Sequence, residues 1–178
     1  SSLIKNRCIC ISGAGGSIGA ELVRQVAALA PARIILLDNS EYNLFEIDQE
    51  IQRRFPDLDR AAILADIRNG PQMRRIFMAE KPSVVFHAAA LKHVPLVEAN
   101  PCEGVMTNVL GTRHLADAAV DAGVSVFVMI STDKAIRPVS VMGATKRAAE
   151  IYCQGLDASN VNTRFITVRF GNVLGSTG

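Results

Sequence analysis

The sequence predicts an α/β domain built on a doubly wound parallel sheet, and three observations lead there. Short apolar runs alternate with stretches of helical periodicity along the whole chain. Those runs are nearly unbroken in apolar residues, as strands covered on both faces must be. A glycine-rich turn lies between the first run and the first helix. Right-handed crossovers convert this order into a sheet with helices on both sides.

Arg7 to Ser12 reads as a buried strand and Gly13 to Gly19 as the turn. Ile18, Leu22, Val26 and Leu29 then recur at helical spacing as far as Pro31. Ile34 to Leu37 is the second strand, stopped by Asp38-Asn39-Ser40. Leu44, Ile47 and Ile51 mark one face of the second helix, with Pro56 beyond its end. Ala62 to Ala65 forms a third strand, Pro71 to Ala79 a helix, and Val84 to Phe86 a fourth strand. Asn100-Pro101-Cys102-Glu103 has the order of a helix start: Asn as cap, Pro at the first position, Glu three after the cap. A long helix is expected from there, burying Val105, Val109, Ala116, Ala119 and Val120 and closed by Gly123. Val124 to Ile130 is the fifth strand, Val141 to Leu156 a helix, and Arg164 to Arg169 the sixth strand.

A chain of 178 residues suits one domain, taken to span 1–178, and no repeat, linker or low-complexity tract divides it. Apolar residues make up 49% and charged residues 20%, a globular balance. No apolar run approaches the ~20 residues that a membrane-spanning helix needs. A net charge of +2 and 5% aromatics without Trp argue against nucleic acid as a partner. Cys8, Cys10, Cys102 and Cys153 form no C-x-x-C pair and read as reduced, mostly buried thiols of a cytoplasmic protein. No histidine pair has metal-ligand spacing, so no metal site is expected. His87 reads as a core histidine and His114 as a surface one. The chain opens on Ser1-Ser2 and stops in the loop-like Gly175-Ser176-Thr177-Gly178, which reads as a portion of something longer.

Gly13-Ala14-Gly15-Gly16-Ser17-Ile18-Gly19 carries the first functional signal. Glycines there permit a sharp turn, close approach of a pyrophosphate to the backbone, and tight helix–strand packing. The helix N-terminus adds unpaired amides and a positive dipole end. Asp38 follows Gly19 by 19 residues, at the carboxyl end of the second strand. A carboxylate there accepts from adenosine ribose hydroxyls and repels a 2′-phosphate, which favours NAD over NADP. A helix cap is the competing use of Asp38, and Asn39 or Ser40 could cap instead. Asp66 and Ile67 end the third strand beside the expected adenine position, where Asp66 could also be a turn residue. Ala88, Ala89 and Ala90 follow the fourth strand, as cofactor floor or as plain apolar packing.

Taken together, several segments resemble the extended short-chain dehydrogenase/reductases, and within them the nucleotide-sugar 4,6-dehydratases of the polysaccharide-biosynthesis type. They are Ser12 to Gly19, Leu37 to Asn43, Phe86 to Pro95 (FHAAALKHVP), Asn108 to Thr112, Ile130 to Lys134 (ISTDK), Met142 to Lys146 (MGATK) and Arg169 to Val173. The resemblance implies transient NAD-dependent oxidation of the sugar at carbon-4, loss of water across carbons 5 and 6, and return of the reducing equivalent to carbon-6. It implies UDP-N-acetylglucosamine as substrate. A nucleotide-sugar epimerase or reductase, and a non-catalytic NAD-binding sensor, remain the alternatives.

Most of that superfamily use a Tyr-x-x-x-Lys pair; here the spacing is kept but Met142 stands at the Tyr position. A thioether has no proton to give, so Met142 cannot be the general base. Lys146 can still hold the nicotinamide ribose. The missing chemistry falls to Thr132, Asp133 and Lys134: Asp133 as acid toward the departing hydroxyl, Lys134 as base at carbon-5, Thr132 against the carbon-4 hydroxyl. Lys92, His93, Asn108 and Asn172 are candidate substrate contacts, with packing or capping as the competing use of each. The methionine resembles the larger, membrane-anchored branch, in which the carbon-5 configuration is retained. That branch implies a longer protein with an N-terminal membrane region, this domain on the cytoplasmic side of the inner membrane, and assembly into homo-oligomers.

Overall fold

A computed structural model describes residues 3–159 and 162–171. Six strands form one sheet: β1 (Cys8–Ser12), β2 (Arg33–Asp38), β3 (Arg60–Leu64), β4 (Val84–His87), β5 (Val126–Thr132) and β6 (Arg164–Phe170). Every pairing is parallel and the order is β3-β2-β1-β4-β5-β6. The chain steps outward from β1 to β3 and then returns to the other side with β4. The gap between the carboxyl ends of β1 and β4 is therefore the switch point where such sheets bind ligands. The Rossmann-type fold expected from the alternation of runs is the one observed.

Helices α1 (Ser17–Ala27) and α2 (Glu41–Arg54) cover one face, with Ile9, Ile11, Ile34 and Leu36 beneath them. On the other face, α3 (Gly70–Glu80), α6 (Thr112–Asp121) and α7 (Val141–Ala158) pack over Cys10, Ile35, Val85, Phe127 and Met129. Alternate residues of each central strand thus feed opposite cores, which is why β1, β2 and β4 read as unbroken apolar runs. The edge strands depart from that reading: Leu64 of β3 and Ile166 and Val168 of β6 are exposed.

The region after β4 departs most from expectation. A short helix, α4 (Val94–Ala99), precedes Asn100, too brief to leave a periodic signal. The Asn100 side chain caps nothing downstream; its Nδ2 donates to Leu96 O, and Glu103 reaches Arg68 at 3.0 Å instead of closing a capping box. The expected single long helix is three segments: α5 (Pro101–Gly104), a π-helical stretch Val105–Gly111, and α6. The wider π turn rotates the buried stripe by one residue. Gly104 and Asn108 face inward, while Val105 is exposed and Val109 only half-buried. Gly123, at φ +71°, closes α6 as expected.

The first helix ends at Ala27, before Pro31, so Leu29 is exposed and the buried stripe is Gly19, Val23, Val26 and Ala27. Cys102 is exposed, unlike Cys10 and Cys153. His114 is half-buried beside Gly70 rather than on the surface. Among the described residues, no helix is long and apolar enough to cross a membrane, and no cluster of three His, Cys, Asp or Glu could hold a metal.

Candidate functional site

The glycine turn is built so that no side chain fits. Gly13 has φ +71°, and a Cβ on it would lie 2.6 Å from the Ala89 amide nitrogen. A Cβ on Gly15 would lie 2.5 Å from that of Asn43. Gly16 caps α1 without any side-chain bond, and Gly16 and Ile18 line the clefts at this end of the helix. Asp38 is buried; its Oδ2 accepts from the Gly15 amide at 2.8 Å and its Oδ1 from the Ser40 amide at 2.9 Å. It does not cap α2. Ser40 does, its Oγ accepting from Asn43 N.

A cleft of about 220 Å³ opens here, lined by Gly13, Gly16, Asp38, Asn39, Ser40, Asp66, Ile67 and Ala88 to Ala90. Asp66 is also a turn residue: its Oδ1 accepts from Arg68 N and its Oδ2 from the Arg68 guanidinium, which holds its carboxyl below the usual range. A second cleft of about 430 Å³ shares Ala88, Ala90 and Leu91 with the first and continues over β4 and β5. Ile18, Lys92, His93, Thr132, Lys134, Met142 and Lys146 line it. Most of the sequence's candidates thus line one or other of two adjoining clefts, whereas Gly15, Ser17, Gly19, Asn108 and Asp133 line neither. Asn172 lies outside the described residues.

At the far end, Met142 is 3% exposed and Lys146 5%. The Lys146 Nζ donates to Ile130 O at 2.8 Å. Burial pushes its ammonium down to about 8, against the opposing charge of Glu150. The folded value lies below the unfolded one, so the cost of burying the charge is full below pH 8 and fades as pH rises toward 10.5. Lys146→Met should therefore raise stability by about 2 kcal/mol at pH 7, after a lost hydrogen bond is allowed for. Thermal melts at pH 7 and pH 10 check this: the gain should shrink at the higher pH.

Thr132 ends β5, and Asp133–Ala135 form one 3-10 turn. Thr132 Oγ1 donates to Asp133 Oδ1 at 3.0 Å, and the Lys134 ammonium lies 3.5 Å from the same oxygen. The Thr132 hydroxyl, more than the Lys134 charge, holds the Asp133 carboxyl low. Both charged side chains are open to solvent, at 56% for Asp133 and 40% for Lys134. Asp133 thus stands open to solvent with its carboxyl held below the usual range.

Asn108 is buried by the π turn. Its Oδ1 accepts from Leu91 N at 2.8 Å, and its Nδ2 donates to Leu91 O at 2.9 Å and Thr145 Oγ1 at 3.0 Å. It anchors the Leu91–His93 segment over the cleft, so it positions Lys92 and His93. Asn108→Ala leaves the Leu91 amide unpaired and should cost about 2 kcal/mol, measurable by urea unfolding.

Two groups escaped sequence reasoning. His87 is a core histidine, as expected, but it is also a tie. Its Nδ1 lies 2.7 Å from Ser12 Oγ and its Nε2 2.8 Å from Thr112 Oγ1. Thr112 already donates to Asn108 O at 2.7 Å, so it accepts from Nε2–H, and Nδ1 accepts from Ser12. Burial, with the Lys146 charge behind it, pushes His87 down to about 3 and keeps it neutral. The second group is the fully buried Glu150 of α7 paired with Arg169, which reaches in from β6 and stays partly open to solvent. An acid on the apolar stripe of Ala149 and Cys153, and an Arg inside the mostly apolar run 165–170, are the signals in the sequence.

A cradle of bare glycines, a helix N-terminus and an acid at the end of β2 fit a dinucleotide, and define a Rossmann-type dinucleotide-binding fold. The chain belongs to the polysaccharide biosynthesis protein family, which it matches over residues 9–178. It is 47% identical to the capsular polysaccharide biosynthesis protein CapD of Staphylococcus aureus, over 98% of this chain and 29% of that one. It is 34% identical to the UDP-N-acetylglucosamine 4,6-dehydratase (inverting) of Campylobacter jejuni, over 99% of this chain and 52% of that one. Other relatives are named UDP-glucose 4-epimerase. Among solved structures, the dTDP-glucose 4,6-dehydratase DesIV of Streptomyces venezuelae, with NAD bound, superposes with a TM-score of 0.74 at 27% identity, over 89% of this chain and 54% of that one. The chain spans about half, or less, of the length of these relatives. It is related to NAD-dependent nucleotide-sugar dehydratases and epimerases.

Proposed function

We propose that the chain is the NAD-binding part of a nucleotide-sugar 4,6-dehydratase acting on UDP-N-acetylglucosamine. The observation that carries this reading is the joint lining of one cleft by Thr132, Lys134, Met142 and Lys146. Met142, at the position where a tyrosine would serve an epimerase, offers neither proton nor strong acceptor. The Thr132–Lys134 corner supplies groups for elimination instead.

Gly13, Gly15, Gly16, Ser17, Ile18 and Gly19 would hold the pyrophosphate, Asp38, Asn39 and Ser40 the adenosine ribose, and Asp66 and Ile67 the adenine. Ala88 to Ala90 would floor the dinucleotide, and Lys146 would hold its nicotinamide ribose. Bound there, NAD supplies reversible oxidation at sugar carbon-4. A carbon-4 ketone acidifies the carbon-5 proton, and Lys134 would be the base that takes it. The departing carbon-6 hydroxyl leaves as water once protonated, and Asp133 serves only if the enclosed complex raises its proton affinity. Thr132 bonds the carbon-4 oxygen. Lys92 and His93 border the sugar end of the cleft.

The chain covers 29% of CapD and is 44% identical to an uncharacterized membrane protein of Methanocaldococcus jannaschii, which supports a longer, membrane-anchored protein; a cytoplasmic position for this domain and a homo-oligomeric assembly complete the proposal. Incubating the intact protein with NAD and UDP-N-acetylglucosamine should give a keto sugar lighter by one water. A product of unchanged mass would assign an epimerase. Bound NAD without any product would assign a sensor.

A further inference from the structure

A carboxylate with no exposed surface lies under the crevice. Glu150 follows Lys146 by one turn on α7, and its side chain is fully buried. Its Oε1 accepts from Ser131 Oγ at 2.6 Å and Arg169 Nε at 2.8 Å. Its Oε2 accepts from Arg169 Nη2 at 2.6 Å and Arg147 Nη1 at 3.0 Å. One side chain thus joins α7 to the ends of β5 and β6. Apolar side chains would join them without desolvating a charge, so the join alone does not account for an acid.

The account lies with its neighbour. Ser131, held by Glu150, directly follows Ile130, whose carbonyl holds the Lys146 ammonium. The groups facing Lys146 are Glu150 and Cys153 from α7, the neutral His87 from β4, and the Ile130 carbonyl from β5. Arg169 of β6 and Arg147 of α7 add positive charge around Glu150. Glu150 is the anion among three cations. We propose that Glu150 is a positioning residue for the site: through Ser131 it fixes the end of β5, whose Ile130 carbonyl holds Lys146, and it sets a buried counter-charge one turn from that lysine. Burial lowers the proton affinity of Lys146, and Glu150 opposes that shift. The proposal rests on the reading that Lys146 serves the bound dinucleotide.

The test titrates Lys146 by NMR in the intact protein with ¹³C-labelled lysine, alongside NAD binding at pH 6 and pH 8. In Glu150→Gln, the Lys146 midpoint should fall from about 8, by roughly tenfold in proton affinity. NAD affinity should drop several-fold at pH 8 and recover at pH 6, and Glu150→Asp should restore most of both. An unchanged Lys146 midpoint in folded Glu150→Gln overturns the proposal, as does a loss of affinity equal at both pH values. If Glu150→Gln fails to fold, Glu150→Gln/Arg169→Met removes both partners of the ion pair, and the same two readouts apply. A shifted midpoint with no NAD binding by the wild type would leave Glu150 as the counter-charge and remove the dinucleotide reading instead.

Discussion

Gly19→Ala should abolish dinucleotide binding and lower stability more than any other single methyl added to the turn. The new Cβ would sit 1.8 Å from the Gly13 carbonyl oxygen and 2.6 Å from its carbon. Neither atom belongs to a side chain that can swing away, so either α1 lifts off β1 or the turn opens. Forcing a methylene into packed surroundings costs about 1–3 kcal/mol, and backbone contacts stand at the upper end. The first amides of α1 move with the helix, so NAD affinity should fall by at least ~100-fold. Gly16→Ala is the control: its Cβ meets nothing nearer than 3.4 Å, so melting should stay within about 2 °C of wild type. Melting curves and NAD titration on both variants separate a packing defect from a binding one.

Asp133→Asn and Lys134→Ala should each reduce turnover by about 10³-fold or more while leaving NAD bound and melting unchanged. Both side chains stand at the rim and are open to solvent, so neither supports the core. Asp133 is more than a partner for Lys134, because its Oδ1 also accepts from Thr132 Oγ1. Losing that charge removes one partner from the Thr132 hydroxyl and one from Lys134 together. Single-turnover measurements of carbon-4 oxidation should show a milder loss than the elimination step. Wild-type rates in either variant would remove these residues from the reaction.

The sheet was legible because its central strands carry apolar side chains on both faces. Cys10 and Ile35 point to one core and Ile11 and Leu36 to the other. Of the site, the pieces with fixed spacing were readable: the glycine turn, Asp38, and the Thr132–Lys134 corner at a strand's carboxyl end. What periodicity could not show was the π turn. The residues from Val105 to Gly111 are compatible with an ordinary helix, and only tertiary contacts decide the extra residue. Asn108 bonds three ways to Leu91 and Thr145, and Gly111 takes the side chain of Ile67 where a Cβ would lie 2.7 Å away. Asn100 misled for the same reason: a local capping pattern lost to the carbonyl of Leu96 and to Arg68. Buried charge was the other blind spot. Glu150 is met by Arg169 from a strand 19 residues further on, a pairing that spacing along α7 cannot show.

Asp38 shows how tightly selectivity and mechanical stiffness are joined in this turn. Its two oxygens already clamp the amides of Gly15 and Ser40. Any redesign toward a phosphorylated dinucleotide must remove the negative charge and, in the same stroke, unclamp the loop. A successful swap would need a neutral acceptor that still reaches both amides, so cofactor preference here resists change by one mutation.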